Sequence, residues 1–97
     1  MYGRLTLITA SPGERSKMEA LADWAAPLYP QVQGFSGVTF FADEQEGLYG
    51  SLTLWESREA AEAAAATVGS ALQEKLAGVG LQGQPRIRTV EIYEPKG

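Results

Sequence analysis

Alternating apolar and polar positions mark four strands along this chain. The alternation covers residues 4–9, 48–55 and 86–93, with 48–55 the clearest run, and residues 38–41 are also strand-like. Between these runs, two stretches carry apolar residues at the three-to-four-residue spacing of an amphipathic helix. In the first stretch these residues are Met18, Leu21, Ala22, Ala25 and Leu28. The pattern therefore predicts the order strand, helix, strand, strand, helix, strand.

Residues at the start of the first predicted helix resemble a capping box. Ser11 suits the N-cap, Pro12 the first helical position and Glu14 the third. The alternative is a plain turn, with the helix starting one or two residues later. Pro27 would remove an interior hydrogen bond, so the helix is expected to kink or stop there.

The second predicted helix consists of two pieces. Ser57 is a good N-cap and Glu59 lies near the positive end of the helix. The alanine-rich run 58–66 has high helix propensity. Gly69 is expected to break or bend the helix, and residues 70–77 supply the second piece.

The order of elements predicts an α+β fold of the ferredoxin-like βαββαβ type. Two split βαβ units interleave into a four-stranded antiparallel sheet with both helices on one face. Residues 1–97 are expected to form a single domain.

The apolar rows of the strands suggest which sheet face the helices cover. We expect six apolar residues to be buried there: Leu5, Leu7, Val38, Phe40, Leu52 and Leu54. The opposite face of the third strand then carries Tyr49, Ser51, Thr53 and Trp55. The alternation leaves open which face of the fourth strand points where, because a slip of one residue reverses it.

An aromatic and hydroxyl-bearing sheet face without a covering helix suits an interface. Dimer interfaces favour Tyr, Trp and Phe, and a two-fold pairing of sheets is the simplest closure. The chain has no cysteine for disulfides and is short, so a partner subunit is the remaining source of reinforcement. The sequence therefore predicts a homodimer formed through this exposed sheet face.

Composition narrows the range of partners and sites. The net charge is −4 and the eight basic residues form no dense run, so nucleic-acid binding is not expected. No apolar run is long enough to span a bilayer, and a cytoplasmic location follows by default. Because histidine and cysteine are both absent, no metal site is predicted.

Three segments share a pattern with one known protein family. Pro12-Gly13 follows an early strand, Pro30 precedes Gly34-Phe35-Ser36-Gly37, and Trp55-Glu56-Ser57-Arg58-Glu59-Ala60 leads into the second predicted helix. Together they resemble the antibiotic-biosynthesis-monooxygenase superfamily, whose members form dimeric α+β barrels. The second segment is similar to the family's turn into strand two, and the third to its start of the second helix. These pieces occur in the family order over residues 4–93. The resemblance implies a homodimer with a small-molecule cavity between sheet and helices.

The same resemblance suggests a chemistry. Some members oxidise polycyclic aromatic substrates with oxygen and without flavin or metal, so no cofactor is expected. Heme-degrading relatives instead depend on a histidine ligand, an asparagine and a helical tryptophan. The corresponding positions here hold Gly3 and Ala64, and there is no histidine. The sequence therefore disfavours heme degradation.

Five side chains are candidates for contact with an aromatic or apolar ligand: Trp24, Tyr49, Trp55, Arg88 and Tyr93. Trp55 can stack on a planar ligand, and the tyrosines can donate hydrogen bonds to an enolate oxygen. The arginine can bind an anion. Each also has a purely structural interpretation, namely core packing, an interface contact or a surface ion pair. No catalytic residue is assigned.

Two functions remain open from the sequence. The first is a cofactor-independent monooxygenase, an oxidoreductase that acts on a small aromatic or polyketide-like substrate. The second is a non-catalytic homodimeric module that binds a small ligand or acts as a stress-related accessory protein. The motifs favour the first, whereas the shortage of acid and base side chains favours the second.

Overall fold

The computed structural model describes residues 1–95 and has the predicted order of elements. The strands and helices are β1 (Tyr2–Thr9), α1 (Arg15–Ala25), β2 (Phe35–Asp43), β3 (Leu48–Trp55), α2 (Arg58–Ala64), α3 (Ser70–Leu76) and β4 (Arg86–Glu91). A 3₁₀ turn, Tyr29–Gln31, follows α1, and a π-helical turn, Ala65–Gly69, joins α2 to α3. The ferredoxin-like α+β prediction is confirmed.

The four strands form one antiparallel sheet in the order β2-β3-β1-β4. The central strands β1 and β3 pair along their whole length, with Tyr2 opposite Trp55 and Thr9 opposite Leu48. The register of β4, which alternation left open, places Thr89 opposite Arg4 and Arg88 opposite Leu5. Directly opposed residues share a sheet face, so this pairing fixes the facing of β4.

The first helix begins later than the capping-box prediction. α1 starts at Arg15, and Glu14 occupies the N-cap position without a side-chain hydrogen bond to the helix. Gly13 has a φ of +87°, which bends the chain before the helix begins. The alternative of a plain turn is therefore the better description, although the helix starts three residues after Pro12 rather than one or two. The helix ends at Ala25, just before Pro27, in line with the proline prediction.

The second helical segment is capped as predicted but is not broken at its glycine. The Ser57 hydroxyl accepts a hydrogen bond of 3.1 Å from the Ala60 backbone N–H. Gly69 has helical dihedral angles of −61° and −41°. The π-helical turn Ala65–Gly69 joins α2 to α3, so residues 58–76 are helical throughout.

The helices cover the opposite sheet face from the one predicted. In β3, the buried residues are Tyr49, Ser51, Thr53 and Trp55. All four leucines that were expected beneath the helices lie on the uncovered face instead: Leu5, Leu7, Leu52 and Leu54. Val38 and Phe40 do lie on the helix side, opposite Thr53 and Ser51.

Volume explains this reversal. Trp55 has no exposed surface, and it packs beside Ala61 and Ala64 of α2, which are also buried. Small helix residues bring α2 close to the sheet, and the largest side chain of β3 fills the remaining space. The leucines of β3 then project from the other face of the sheet. We call this face the leucine face, and its apolar residues come from β1, β3 and β4: Leu5, Leu7, Leu52, Leu54 and Val90.

The core between helices and sheet has two parts. One surrounds Ile8 and Tyr49 under α1 and α3, and the other surrounds Trp55 under α2. None of the helices described in residues 1–95 is both long and apolar enough to cross a membrane.

Candidate functional site

A cavity of about 260 Å³ lies between α1 and the sheet. Four α1 residues form one wall: Met18, Leu21, Ala22 and Ala25. They share one helix face because they are three or four residues apart. Leu72 of α3 completes the helical side. The cavity is slightly smaller than the usual range of ligand pockets, roughly 300–1,000 Å³, and therefore suits a small ligand.

The sheet side of the cavity is a row of opposed side chains from the central strands. Thr6 lies opposite Ser51, and Ile8 lies opposite Tyr49. Phe40 of the edge strand β2 lies opposite Ser51 on its other side. The row combines apolar surface with three hydroxyl groups, an arrangement that can bind an aromatic ring and orient its polar substituents.

The mouth of the cavity carries a bridge between α1 and the β2–β3 turn. Arg15 contacts Glu19 and Glu44, each at 3.4 Å. Both pairs are solvent-exposed, so each contributes at most about 1 kcal/mol. Phe40 is 37% exposed at the same edge. At the mouth, the Arg15 ion pairs therefore lie at the same edge as the accessible ring of Phe40.

Tyr29 reaches the cavity from the 3₁₀ turn that follows α1. Its ring packs edge-to-face on Trp55, with centroids 6.3 Å apart. Burial raises the pKa of the Tyr29 hydroxyl, and the positive charge of Arg4 offsets part of that rise. Tyr29 is therefore a neutral phenol at physiological pH. It is suited to donating a hydrogen bond rather than to removing a proton.

A smaller void of about 30 Å³ adjoins the cavity under α2 and the π-helical turn. The two spaces share four lining residues: Thr6, Tyr29, Ser51 and Leu72. Arg4 and Thr53 line only the smaller void. Arg4 donates a 2.9 Å hydrogen bond from its guanidinium to Thr89 Oγ1. We call this space the inner void.

Of the five ligand-contact candidates from the sequence, Tyr49 lines the cavity. Trp55 lies behind Tyr29, fully buried, and donates from Nε1 to Thr53 Oγ1 at 2.8 Å. Trp24 lies outside the cavity, with the Lys75 ammonium 4.9 Å from its ring centroid. The remaining two candidates are placed elsewhere.

Arg88 and Tyr93 both lie away from the space between sheet and helices. Arg88 pairs with Leu5, so it is on the uncovered side of the sheet. Tyr93 follows β4 and is 80% exposed. The structure therefore does not bring the five candidates together into one site.

Sequence reasoning missed Arg4, Thr6 and Tyr29. A usable signal exists in β1, where Arg4 and Thr6 alternate with Leu5 and Leu7. The sequence resolves this strand into a polar row and an apolar row, as it does β3. Taking the polar rows together as the wall of a site, rather than as an outer surface, would have found these residues. Tyr29 lies between Pro27 and Pro30. These prolines indicate that the chain turns here, but they do not indicate where the Tyr29 side chain points.

Comparisons with known proteins add information on the fold. No protein-family model matches the chain, and no curated protein matches it. A solved structure of a protein of unknown function from Nitrosomonas europaea is similar, with a TM-score of 0.82 and 19% identity. That match covers 98% of this chain and 91% of the other.

Two similar structures come from Streptomyces. A monooxygenase of Streptomyces coelicolor, solved in complex with the ligand nanaomycin D, has a TM-score of 0.72 and 20% identity, covering 99% of this chain and 88% of that one. SnoaB, a cofactor-independent oxygenase from Streptomyces nogalater, has a TM-score of 0.78 and 14% identity, covering 97% and 94% respectively.

At these identities the shared property is the fold. The chain has the ferredoxin-like α+β fold of solved antibiotic biosynthesis monooxygenase structures, which confirms at the level of the fold the resemblance drawn from the sequence motifs.

Proposed function

We propose that this protein binds a small aromatic or polyketide-like molecule in the cavity between α1 and the sheet and oxidises it with molecular oxygen, without a cofactor. The observation that carries the proposal is the cavity itself, an apolar space with the hydroxyls of Tyr29 and Tyr49 beside it. The oxygenase structures of the same fold support the reaction class.

The proposed reaction converts a ring methylene into a carbonyl, as in the oxidation of an anthrone to a quinone. One atom of O₂ enters the product and the other leaves as water. The substrate loses both methylene hydrogens and supplies all four electrons. An electron-rich enolate is the species that reacts with oxygen, so the protein acts by binding and orienting that enolate.

Tyr29 has a defined part in this reaction. As a neutral phenol it donates a hydrogen bond to the enolate oxygen, stabilising the charge that forms there. Tyr49, on the facing sheet, is a second phenol that can donate a hydrogen bond.

Oxygen uptake with an anthrone-type phenol tests the proposal directly. The purified protein is expected to raise oxygen consumption and quinone absorbance above the buffer rate. Ala22→Phe places a ring inside the cavity, whereas Ala20→Phe changes the exposed side of the same helix. We expect Ala22→Phe to lower turnover by about tenfold or more and Ala20→Phe to leave it unchanged.

The second candidate is the non-catalytic binding module. One observation favours it. Among the described residues that line the cavity, the one carboxylate is Glu19, and it is paired with Arg15 at the exposed mouth, so no unpaired base lies beside a bound ring. Ligand binding that Ala22→Phe abolishes, together with oxygen uptake no faster than in buffer, supports this module. Uptake above buffer that both phenylalanine variants retain contradicts the cavity as the site.

We propose further that two copies pair through the leucine face. This keeps the homodimer predicted from the sequence but assigns it to the opposite side of the sheet. The helices described in residues 1–95 pack on the other side of the sheet, and Leu5, Leu52 and Leu54 of the leucine face are only partly buried. A contiguous apolar surface of this kind is typical of an interface.

A further inference from the structure

The inner void is the right size for one polar group of a ligand. Its volume of about 30 Å³ is comparable with the space that a single water molecule occupies in the liquid. Because it shares Thr6, Tyr29 and Ser51 with the main cavity, a ring bound in the cavity can place one substituent there. The side chains around the void therefore decide which substituent is preferred.

Arg4 brings a positive charge to this void. Its guanidinium is partly buried and is held by the Thr89 hydroxyl, a neutral partner. Among residues 1–95, no carboxylate lies within 4 Å of it. A partly desolvated cation without a counter-charge gains from an anion that enters the void.

The hydroxyls around Arg4 differ in whether they already take part in a hydrogen bond. Thr53 already accepts the hydrogen bond from the Trp55 indole. Within the described part of the chain, the Ser51 and Tyr29 hydroxyls form no side-chain hydrogen bond. Both can donate to an anionic oxygen beside the guanidinium.

We propose that Arg4, with the hydroxyls of Tyr29 and Ser51, forms an anion subsite that selects aromatic ligands bearing a carboxylate or an ionised phenol oxygen. The proposal rests on the proposed function only in that the ligand occupies the cavity. The subsite specifies that the substrate is an anion, a property that cannot be inferred from the fold alone.

Calorimetric titration with three small aromatic probes tests the subsite. The probes are 2-naphthoate, a nitronaphthol that is ionised at neutral pH, and the neutral 2-naphthalenemethanol. We expect at least one anion to bind about tenfold or more tightly than the neutral probe, the scale of a charged hydrogen bond. Preference for one anion over the other distinguishes a carboxylate substrate from a phenolate substrate.

Variants locate the preference at Arg4. Arg4→Gln is expected to weaken anion binding about tenfold or more and to change neutral binding by less than about twofold, whereas Arg4→Lys keeps part of the preference. Arg58→Gln removes the same charge from the exposed start of α2 and is expected to change neither. Circular dichroism melts of each variant verify the fold.

Three results overturn the subsite. Equal affinity of the wild type for anions and the neutral probe removes the charge preference but leaves the cavity and the proposed reaction intact. Equal loss of all probes in a folded Arg4→Gln variant shows that Arg4 shapes the cavity instead. Failure of every probe to bind the wild type overturns the subsite and also removes the support for a ligand cavity.

Discussion

At the scale of single residues, aromatic side chains that look alike in the sequence have different surroundings. Trp55 has no exposed surface, contacts Tyr29 and Phe35 edge-to-face and hydrogen-bonds to Thr53. Tyr93 is 80% exposed. Trp55 therefore supports the cavity from behind by fixing Tyr29, while Tyr93 has no such role in the chain as described.

Replacing these two aromatics by alanine should separate their contributions. Trp55→Ala removes a buried ring and leaves the Thr53 hydroxyl without its donor, so we expect a loss of about 3–5 kcal/mol in the free energy of unfolding. Tyr93→Ala should change it by less than about 0.5 kcal/mol. Urea denaturation followed by far-ultraviolet circular dichroism measures both. Similar losses in the two variants would contradict these placements.

At the scale of elements, one turn holds three of them together. Gly34 has a φ of +92° and its carbonyl accepts a 2.9 Å hydrogen bond from the Glu56 N–H. A Cβ at this position would lie 2.6 Å from Ala60 Cβ. The start of β2, the end of β3 and the start of α2 therefore meet where only glycine fits.

Two glycine substitutions test this turn against a matched control. Gly13 also has a positive φ, +87°, but an added Cβ there meets no atom within 4 Å. Gly13→Ala should cost about 1–2 kcal/mol of stability through backbone strain alone. Gly34→Ala should cost at least about 1 kcal/mol more, because it also overpacks against α2. Thermal unfolding of both variants gives the comparison, and equal costs would exclude a steric role for Ala60.

Element order could be predicted from the sequence, but the facing of the strands could not. Period-two alternation in β3 yields two rows, one of leucines and one of aromatics and hydroxyls, and either row can be buried. Which row is buried depended on how closely the alanine-rich α2 packs on the sheet, and that is a tertiary property. The cavity lies on the covered face, so its lining could not be predicted either. Tyr49 was among the candidates, whereas Arg4 and Tyr29 were not. Local signals such as the Ser57 cap were predicted because they depend on neighbours in sequence.

At the scale of the whole molecule, the helices pack on one face of the sheet and the leucine face lies on the other. The leucine face includes Leu52 and Leu54 beside Leu5 and Val90. The arginines of β4, Arg88 among them, lie on the same side and can border an apolar contact. This arrangement is the basis for the proposed pairing of two copies.

A charge placed within the leucine face should prevent pairing. Leu52→Lys buries an ammonium group at the proposed interface, whereas Gln73→Lys adds the same charge to an exposed position of α3. Light scattering at low micromolar concentration should give twice the chain mass of 10.4 kDa for the wild type and Gln73→Lys. Leu52→Lys should give the single-chain mass and retain its circular dichroism spectrum. A wild-type mass near 10.4 kDa would refute the pairing.

The alternation of β3 has a consequence for how such a protein can diverge. Ser51 borders the ligand cavity and its sequence neighbour Leu52 borders the leucine face, yet their side chains are separated by the thickness of the sheet. If the proposed ligand site and the proposed pairing both hold, single substitutions in this strand can alter ligand choice without altering assembly, or the reverse. Proteins that descend from one ancestor can then keep the same pairing while their ligands change, because the two kinds of substitution fall on alternate residues of the eight-residue strand β3.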